Sequence, residues 1–405
     1  MIDLKENFGY LRSSYLSEVE RYFEKDIIKV IVGIRRSGKS ILMKQMMAHF
    51  IQEQKMFETE VLYVDKEDLL FDFLKNYEDL NRYVDAKKPK YLFIDEVQEI
   101  ENWEKAIASF HKKGIDVYIT GSNAKMLSSD LATHLSGRYV SIPIYTLSFR
   151  EFIEFNQKSE VDPSVVFADY LKIGGFPLLS QFTGNQQACY TLIGDIFETI
   201  VLKDIVSRHQ IRRVALLGNI IRYVADNVGN TFSANKISDY LKSQRIKIDV
   251  ETVQDYLGFL TSTFALHKVR RYDVHGKRHL EISEKYYLGD LGLRHALIGY
   301  HSESIGQFLE NIVYLELLRR GYHVSVGKLG NREIDFIAEK GSQKIYVQVC
   351  YLLATPEVFS REFGVLGEVR DQYPKLVLSM DTDSYGNSFD GIERKNIVSW
   401  LLEEI

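Results

Sequence analysis

The sequence predicts an α/β fold in which a parallel sheet leads and a smaller α/β part closes the chain. Three observations predict it. Residues 1–150 alternate short apolar runs ("IIKVIV", "VLYVD", "YLFIDE", "VYIT" and "YVSIPI") with helical stretches, the pattern of strands buried on both faces and joined by crossover helices. Residues 151–225 carry a helical period, broken by the loop "GGFP" at 174–177, where glycine and proline punctuate local structure. From about residue 300 a helix precedes the strand-like segments "HVSVGK", "EIDFIAE" and "KIYVQVCYLL", a pattern assigned here to a separate α/β domain spanning 296–405.

Bulk properties bound the function. A chain of 405 residues holds about two to four domains, and 45% hydrophobic with 26% charged residues gives each part a core. The net charge of −5 argues against a general nucleic-acid coat but leaves room for a local basic surface. Cys189 and Cys350 stand far apart in apolar surroundings. They form neither a disulfide framework nor a metal-ligand spacing, which suits a reducing compartment. The stretch "MIDLKENFGYLRSSYLSEVERYFEKD" lacks the apolar centre of a signal peptide, and no apolar run approaches the ~20 residues of a membrane helix. A cytoplasmic protein without membrane association is expected.

The first strand and helix enclose "VIVGIRRSGKSILMKQMM", residues 30–47. From Gly33 to Ser40 it fits G-x-x-x-x-G-K-[ST]. Glycines let the backbone turn so tightly that its N–H groups point at phosphate oxygens, and the helix that starts there adds the positive end of its dipole. Gly33, Ile34, Arg35, Arg36, Ser37, Gly38, Lys39, Ser40 and Ile41 are therefore expected to cradle ATP. Lys39 would reach the β- and γ-phosphates and Ser40 would ligate Mg²⁺.

"KYLFIDEVQEI" supplies the complementary half. Four apolar positions, Tyr91 to Ile94, end in Asp95-Glu96, as expected of a buried strand delivering two carboxylates at its C-terminal edge. Asp95 would hold the Mg²⁺ shell and Glu96 would orient the attacking water; a strand simply ending at the surface would show the same pair. The strand "IDVYITGSN" ends in Ser122 and Asn123, either of which would face the γ-phosphate or the water. "HLSGRYVSIPI" offers Arg138, either an arginine finger on a neighbour's nucleotide or a structural ion-pair residue, because guanidinium does not titrate and bridges phosphate oxygens.

Taken in order, "GIRRSGKS", "LFIDEVQ", "TGSN", "SGR", "LSFREF" and "GGFP" resemble the archaeal and bacterial AAA+-like ATPases with a C-terminal conserved domain of unknown function. The resemblance extends through "KYYLGDLGLRHAL", "GQFLENIVYLELLRRGYHV", "EIDFIA" and "YPKLVLSMD", and so covers nearly the whole chain. It implies a P-loop AAA+ core at 1–150, a helical lid at 151–225, a winged helix at 226–295 and a restriction-endonuclease-like domain at 296–405. It leaves the biochemical role open.

The middle segment has the layout of a winged helix in its own right. Ser233 is a suitable N-cap, a turn leads to a second helix at about Asp249, and two strands flank "DVHGKR", where Gly276 suits a hairpin tip. Residues 231–280 hold nine Lys and Arg against five Asp and Glu, a local +4 (9 − 5). Such an excess is what DNA phosphates require. Arg270, Arg271, Lys277 and Arg278 are expected on the wing, with Arg245 and Lys247 at the turn. Asp249, Glu251 and Asp255 open the second helix and would repel phosphates, so backbone contact is expected rather than base readout. A structural or protein-docking module has the same layout.

In the C-terminal part, Glu310, Asp335 and Gln348 stand where the resemblance implies a nuclease metal site. Two carboxylates and a glutamine carbonyl can hold a divalent ion, but Cys350 takes the place of the lysine such enzymes use and Lys344 lies four residues before Gln348. A degenerate site is expected. Three functions remain open: an ATPase coupling nucleotide state to DNA or a partner, with homo-oligomerisation suggested by Arg138; a slow ATP switch acting on a protein; and an ATP-regulated nuclease.

Overall fold

The computed structural model describes residues 9–127, 135, 137–182, 184–276, 278–382 and 388–404. Lys277 lies outside them. The chain divides into two compact units, one of residues 1–146 with 262–264, the other of 147–261 with 265–405.

The first unit is built on five strands: β1 (Ile28–Val32), β2 (Val61–Asp65), β3 (Tyr91–Asp95), β4 (Asp116–Gly121) and β5 (Tyr139–Pro143). Their order is β2-β3-β4-β1-β5, and each neighbouring pair is parallel. Every residue of β1 and β3 is buried, which is why their sequences are unbroken apolar runs rather than alternating ones. Parallel pairing requires crossovers, and the helices Lys39–Gln52, Tyr77–Lys87 and Trp103–Lys112 lie within those connections. A helix absent from the sequence-based expectation, Ser13–Glu20, packs Tyr15, Leu16 and Val19 into the core with Met43, Met46 and Phe50. All five strands run the same way, so the loops after β1, β3 and β4 emerge at one edge.

The second unit begins with helices. Ser148 and Glu151 form a capping box on Phe149–Phe155, and Asp162 caps Pro163–Ile173. The helix Gln186–Thr199 continues as a π-helix over Ile200–Ser207. "GGFP" has a packing reason. Gly174 sits at φ +77°, a Cβ on Gly175 would lie 2.4 Å from the Leu147 carbonyl oxygen, and one on Gly174 would lie 2.0 Å from Asp290 Oδ1. Asp290 is buried, accepting from the Gly175 and Gly292 N–H groups at 2.9 and 2.8 Å, so it joins the loop to the start of Leu291–Ile298.

Ser233 does cap Ala234–Ser243, accepting from Lys236 N–H at 3.3 Å, and Val250–Ser262 follows. The remaining strands are β6 (Thr231–Phe232), β7 (Leu266–Asp273), β8 (Arg278–Leu288), β9 (His323–Leu329), β10 (Arg332–Lys340), β11 (Gln343–Val349), β12 (Lys375–Ser379), β13 (Ser388–Phe389) and β14 (Ile392–Asn396). They form one nine-stranded sheet, β13-β14-β12-β11-β10-β9-β7-β8-β6. The hairpin β7–β8 is therefore not a free wing. Arg271 to Asp273 pair in parallel with Val326 to Lys328 of β9, which satisfies backbone groups that an exposed edge would leave open. The boundary placed at 295/296 has strands of one sheet on both sides.

Candidate functional site

The loop between β1 and the helix Lys39–Gln52 is closed by geometry that its glycines permit. A Cβ on Gly33 would stand 2.1 Å from the Ile144 carbonyl oxygen, so any side chain there would displace the strand beside it. Gly38 is left-handed (φ 98°) at the helix N-cap, and Arg36 is left-handed as well (φ 62°), a conformation that costs a non-glycine residue about 1–2 kcal/mol. The Lys39 ammonium turns back over the loop and donates to the Gly33 and Ile34 carbonyls at 3.1 and 3.2 Å. Ser37 Oγ is buried without a partner. Arg35 is buried and pairs with Glu67 at 3.2 Å, Arg36 is exposed, and Ile41 is exposed on the first helical turn.

The acidic pair comes to this loop. Asp95 ends β3, is buried, and accepts from Thr120 Oγ1, from Tyr63 OH at 3.4 Å and from the Ser40 hydroxyl. Burial raises its pKa; the Thr120 and Ser40 hydrogen bonds oppose that without cancelling it. Glu96 is left-handed (φ 53°), which turns its carboxylate away from the strand direction. Its Oε1 lies 3.7 Å from Lys39 Nζ, while its Oε2 accepts from Gln98 Nε2 and, at 3.3 Å, from Ser122 Oγ. Burial pushes the Glu96 pKa up, but the Lys39 and Arg35 charges outweigh it and the net shift is downward. Glu96 is held as a carboxylate.

Lys39, Ser40, Asp95, Glu96 and Ser122 thus converge at one edge of the sheet, with Asn123 buried next in sequence. Among the described residues no group of three or more His, Cys, Asp or Glu could hold a metal ion; a hydroxyl–carboxylate pair such as Ser40 with Asp95 is instead the donor set of an ion that keeps most of its waters, as magnesium does.

On these strands and this loop the chain matches the AAA domain family, over residues 25–153. Residues 165–304 match a domain of unknown function. A protein of Haemophilus influenzae, named only as uncharacterized, is 39% identical over 404 residues, 97% of this chain and 98% of its own. The chain belongs to this AAA-domain family. A second uncharacterized relative, from Methanocaldococcus jannaschii, is 29% identical over 343 residues, 80% of this chain and 75% of its own. A solved Walker-type ATPase of Pyrococcus abyssi superposes with a TM-score of 0.50 at 14% identity, covering 73% of this chain and 99% of that one. The likeness is one of fold. The AAA domain is that of a P-loop, nucleotide-binding ATPase, and no helix among the described residues is long and apolar enough to cross a membrane.

Three residues of the first unit escaped the sequence reasoning. Thr120 bridges the pair, accepting from the Glu96 N–H at 2.9 Å while donating to Asp95. Gln98, inside "DEVQ", holds Glu96, and its own Oε1 is buried without a partner. Arg12 is buried beneath the loop and donates to the Ser37 and Tyr145 carbonyls at 3.1 and 3.0 Å; nothing in its surrounding sequence signals this. Arg138 is exposed and directly precedes β5. Ile28 pairs with Tyr139 at the start of both strands, so Arg138 lies at the opposite edge of the sheet, about 16 Å from the loop at ~3.3 Å per residue.

In the second unit Arg245, Lys247, Arg270 and Arg278 are exposed. Arg271 differs from the expectation. It is half-buried and paired with Glu333 at 3.6 Å, because the parallel pairing with β9 covers that stretch of β7. Glu310, Asp335 and Gln348 do come together: Asp335 Oδ2 accepts from the Val349 N–H at 2.8 Å, and Gln348 Oε1 accepts from the Asp335 N–H at 3.2 Å. Lys344 does not join them; it pairs with Glu339 at 3.3 Å. The lysine at this cluster is Lys285 of β8, 2.7 Å from both Glu310 and Glu333.

Proposed function

We propose that the protein is a magnesium-dependent ATPase of AAA+ type that couples nucleotide state to the binding of DNA backbone or of a protein partner. The convergence of Lys39, Ser40, Asp95 and Glu96 carries this reading. In it, Lys39 exchanges its two loop carbonyls for the β- and γ-phosphates, and the backbone N–H groups from Arg35 to Ser40 surround the phosphate chain. Ser40 and Asp95 would hold the magnesium ion, which would supply positive charge against the phosphoryl oxygens. Glu96 accepts a proton from, or orients, the attacking water, and its lowered pKa keeps it available as a base at neutral pH. Gln98 and Ser122 fix the direction of that carboxylate. Arg138, remote from the loop of its own chain, would act only across a subunit boundary, on a neighbour's nucleotide.

The segment 226–295, in the layout of a winged helix, and the lid at 151–225 would transmit nucleotide state. Exposed Arg245, Lys247, Arg270 and Arg278 support phosphate contact; the engaged Arg271 and the acidic start of the helix Val250–Ser262 favour a protein partner instead. Turnover of ATP with magnesium, and its response to added duplex DNA, tests the first reading. Glu96→Gln sharpens it: this variant should bind ATP as the wild type does and hydrolyse it about 10²–10⁴-fold more slowly. Loaded with ATP, it becomes a trap from which bound protein or nucleic acid is identified. Normal hydrolysis by Glu96→Gln would remove the proposed role of Glu96.

A further inference from the structure

The cluster in the second unit is assembled from four elements. Lys285 comes from β8, Glu310 from the helix Ile305–Arg319, Glu333 and Asp335 from β10, and Gln348 from β11. Lys285 is buried, with Nζ at 2.7 Å from Glu310 Oε1 and 2.7 Å from Glu333 Oε1. Tyr287 OH donates to the same Glu310 oxygen. Two carboxylate oxygens at this distance hold the amine as an ammonium.

A further carboxylate, paired with an arginine through one oxygen only, stands by. Glu362, on the helix Pro356–Gly367, is 2% exposed, its Oε2 has no hydrogen-bond partner, and its charge acts on Asp335. Its other oxygen accepts from Arg361 at 2.6 Å. Two carboxylates, Asp335 and Glu310, with the Gln348 carbonyl make an oxygen donor set of the kind a hard divalent cation takes, yet the positive charge beside it is an ammonium carried by the chain.

We propose that Lys285 is the built-in cation of a latent divalent-metal site: it displaces magnesium or manganese from Glu310 and Asp335, and removing it converts the cluster into a site for such an ion. The reasoning is electrostatic. An ammonium 2.7 Å from two carboxylates cannot share that space with a second cation, and the ammonium itself is buried, which weakens screening of its charge by water. Without the ammonium, the largely covered Glu310 loses its counter-charge, and a divalent ion is the species that restores it with oxygen ligands alone.

Manganese binding to the full chain without nucleotide tests this, read by electron paramagnetic resonance. In wild type, Asp335→Asn should leave manganese binding unchanged. Lys285→Ala should gain one site at least tenfold tighter than any in wild type, and Lys285→Ala/Asp335→Asn should lose it. Lys285→Met, which keeps the packing of the stem, should behave as Lys285→Ala does. Manganese should raise the melting temperature of Lys285→Ala and Lys285→Met and not that of wild type. Asp335-dependent manganese binding in wild type overturns the proposal. So does the failure of both Lys285 variants to gain binding, or their failure to fold even with manganese present.

Discussion

Lys39 and Lys285 are both buried beside carboxylates, and the two are held in opposite ways. Lys39 approaches Glu96 only to 3.7 Å and spends its hydrogen bonds on the carbonyls of Gly33 and Ile34. Lys285 sits 2.7 Å from each of two carboxylates. Neutral carbonyls are readily exchanged for phosphate oxygens, because the charge-assisted bond that replaces them is stronger. An ammonium buried against carboxylates cannot be drawn away from them without leaving uncompensated charge. The first lysine is placed to act on a ligand; the second is placed to stay.

The largest expected effect breaks the comparison if it fails. Lys39→Ala should reduce ATP turnover by at least about 10³-fold, in the range of losing a main electrostatic contact to a transferring phosphoryl group, while the melting temperature of the nucleotide-free chain hardly moves. Single-turnover hydrolysis and thermal melting measure the two. Unchanged turnover would mean that the glycine loop does not hold a triphosphate.

Lys285→Met should do the reverse. Breaking a fully buried pair by removing one partner costs about 3–5 kcal/mol; here Glu310 and Glu333 keep some access to water, so a smaller loss is expected, and the denaturant midpoint should fall in metal-free buffer with ATP turnover per folded molecule retained. Equal losses in both assays for both variants would erase the distinction between an acting and a resident lysine.

The two sites also differ in how far the sequence discloses them. Lys39 and Ser40 lie within one eight-residue loop, and a parallel sheet with loops at one edge carries Asp95 to it; strand period, loop glycines and an acidic strand end are all local signals. Glu310 and Lys285 are 25 residues apart on different elements, and no spacing rule links a strand lysine to a helix glutamate. The pairing of β7 with β9 is equally hidden, since backbone groups carry no sequence code for their partner. That one contact alters two readings at once: it places the hairpin and the C-terminal strands in a single sheet, and it turns Arg271 inward to Glu333. The role of Gln98 is intermediate. The residue stands in a recognisable motif, but only the left-handed turn at Glu96 brings its amide onto the carboxylate.

A smaller effect separates acid sensitivity in the second unit from both lysines. His295 is 2% exposed, with Nε2 against the Leu171 carbonyl at 3.0 Å and with Tyr190, Tyr300 and Phe308 around its ring. Burial, aided by the Arg294 charge, lowers its pKa to about 4. The folded pKa lies below the unfolded value near 6.5, so the unfolded chain binds the extra proton. The contribution is intact above about pH 6.5 and is lost as pH falls towards 4, on the order of 1–3 kcal/mol. Urea melts at pH 7.5 and 5 should show this loss in wild type and a shallower one in His295→Gln; parallel slopes would place the acid sensitivity elsewhere.

The smallest effect concerns arginines that differ in the same way the lysines do. Arg270 is exposed, whereas Arg271 is tied to Glu333. If the hairpin touches DNA phosphates, Arg270→Ala and Arg278→Ala should each lower the slope of log affinity against log salt by about one, roughly a threefold difference in salt response between 50 and 200 mM. Arg271→Ala should leave the slope alone and lower the melting temperature instead, since its charge is already neutralised inside the sheet. Fluorescence anisotropy on a short duplex at several salt concentrations measures all three. A slope that none of them changes would assign the hairpin surface to a protein partner, for which a fixed Arg271 and an acidic helix start present no obstacle.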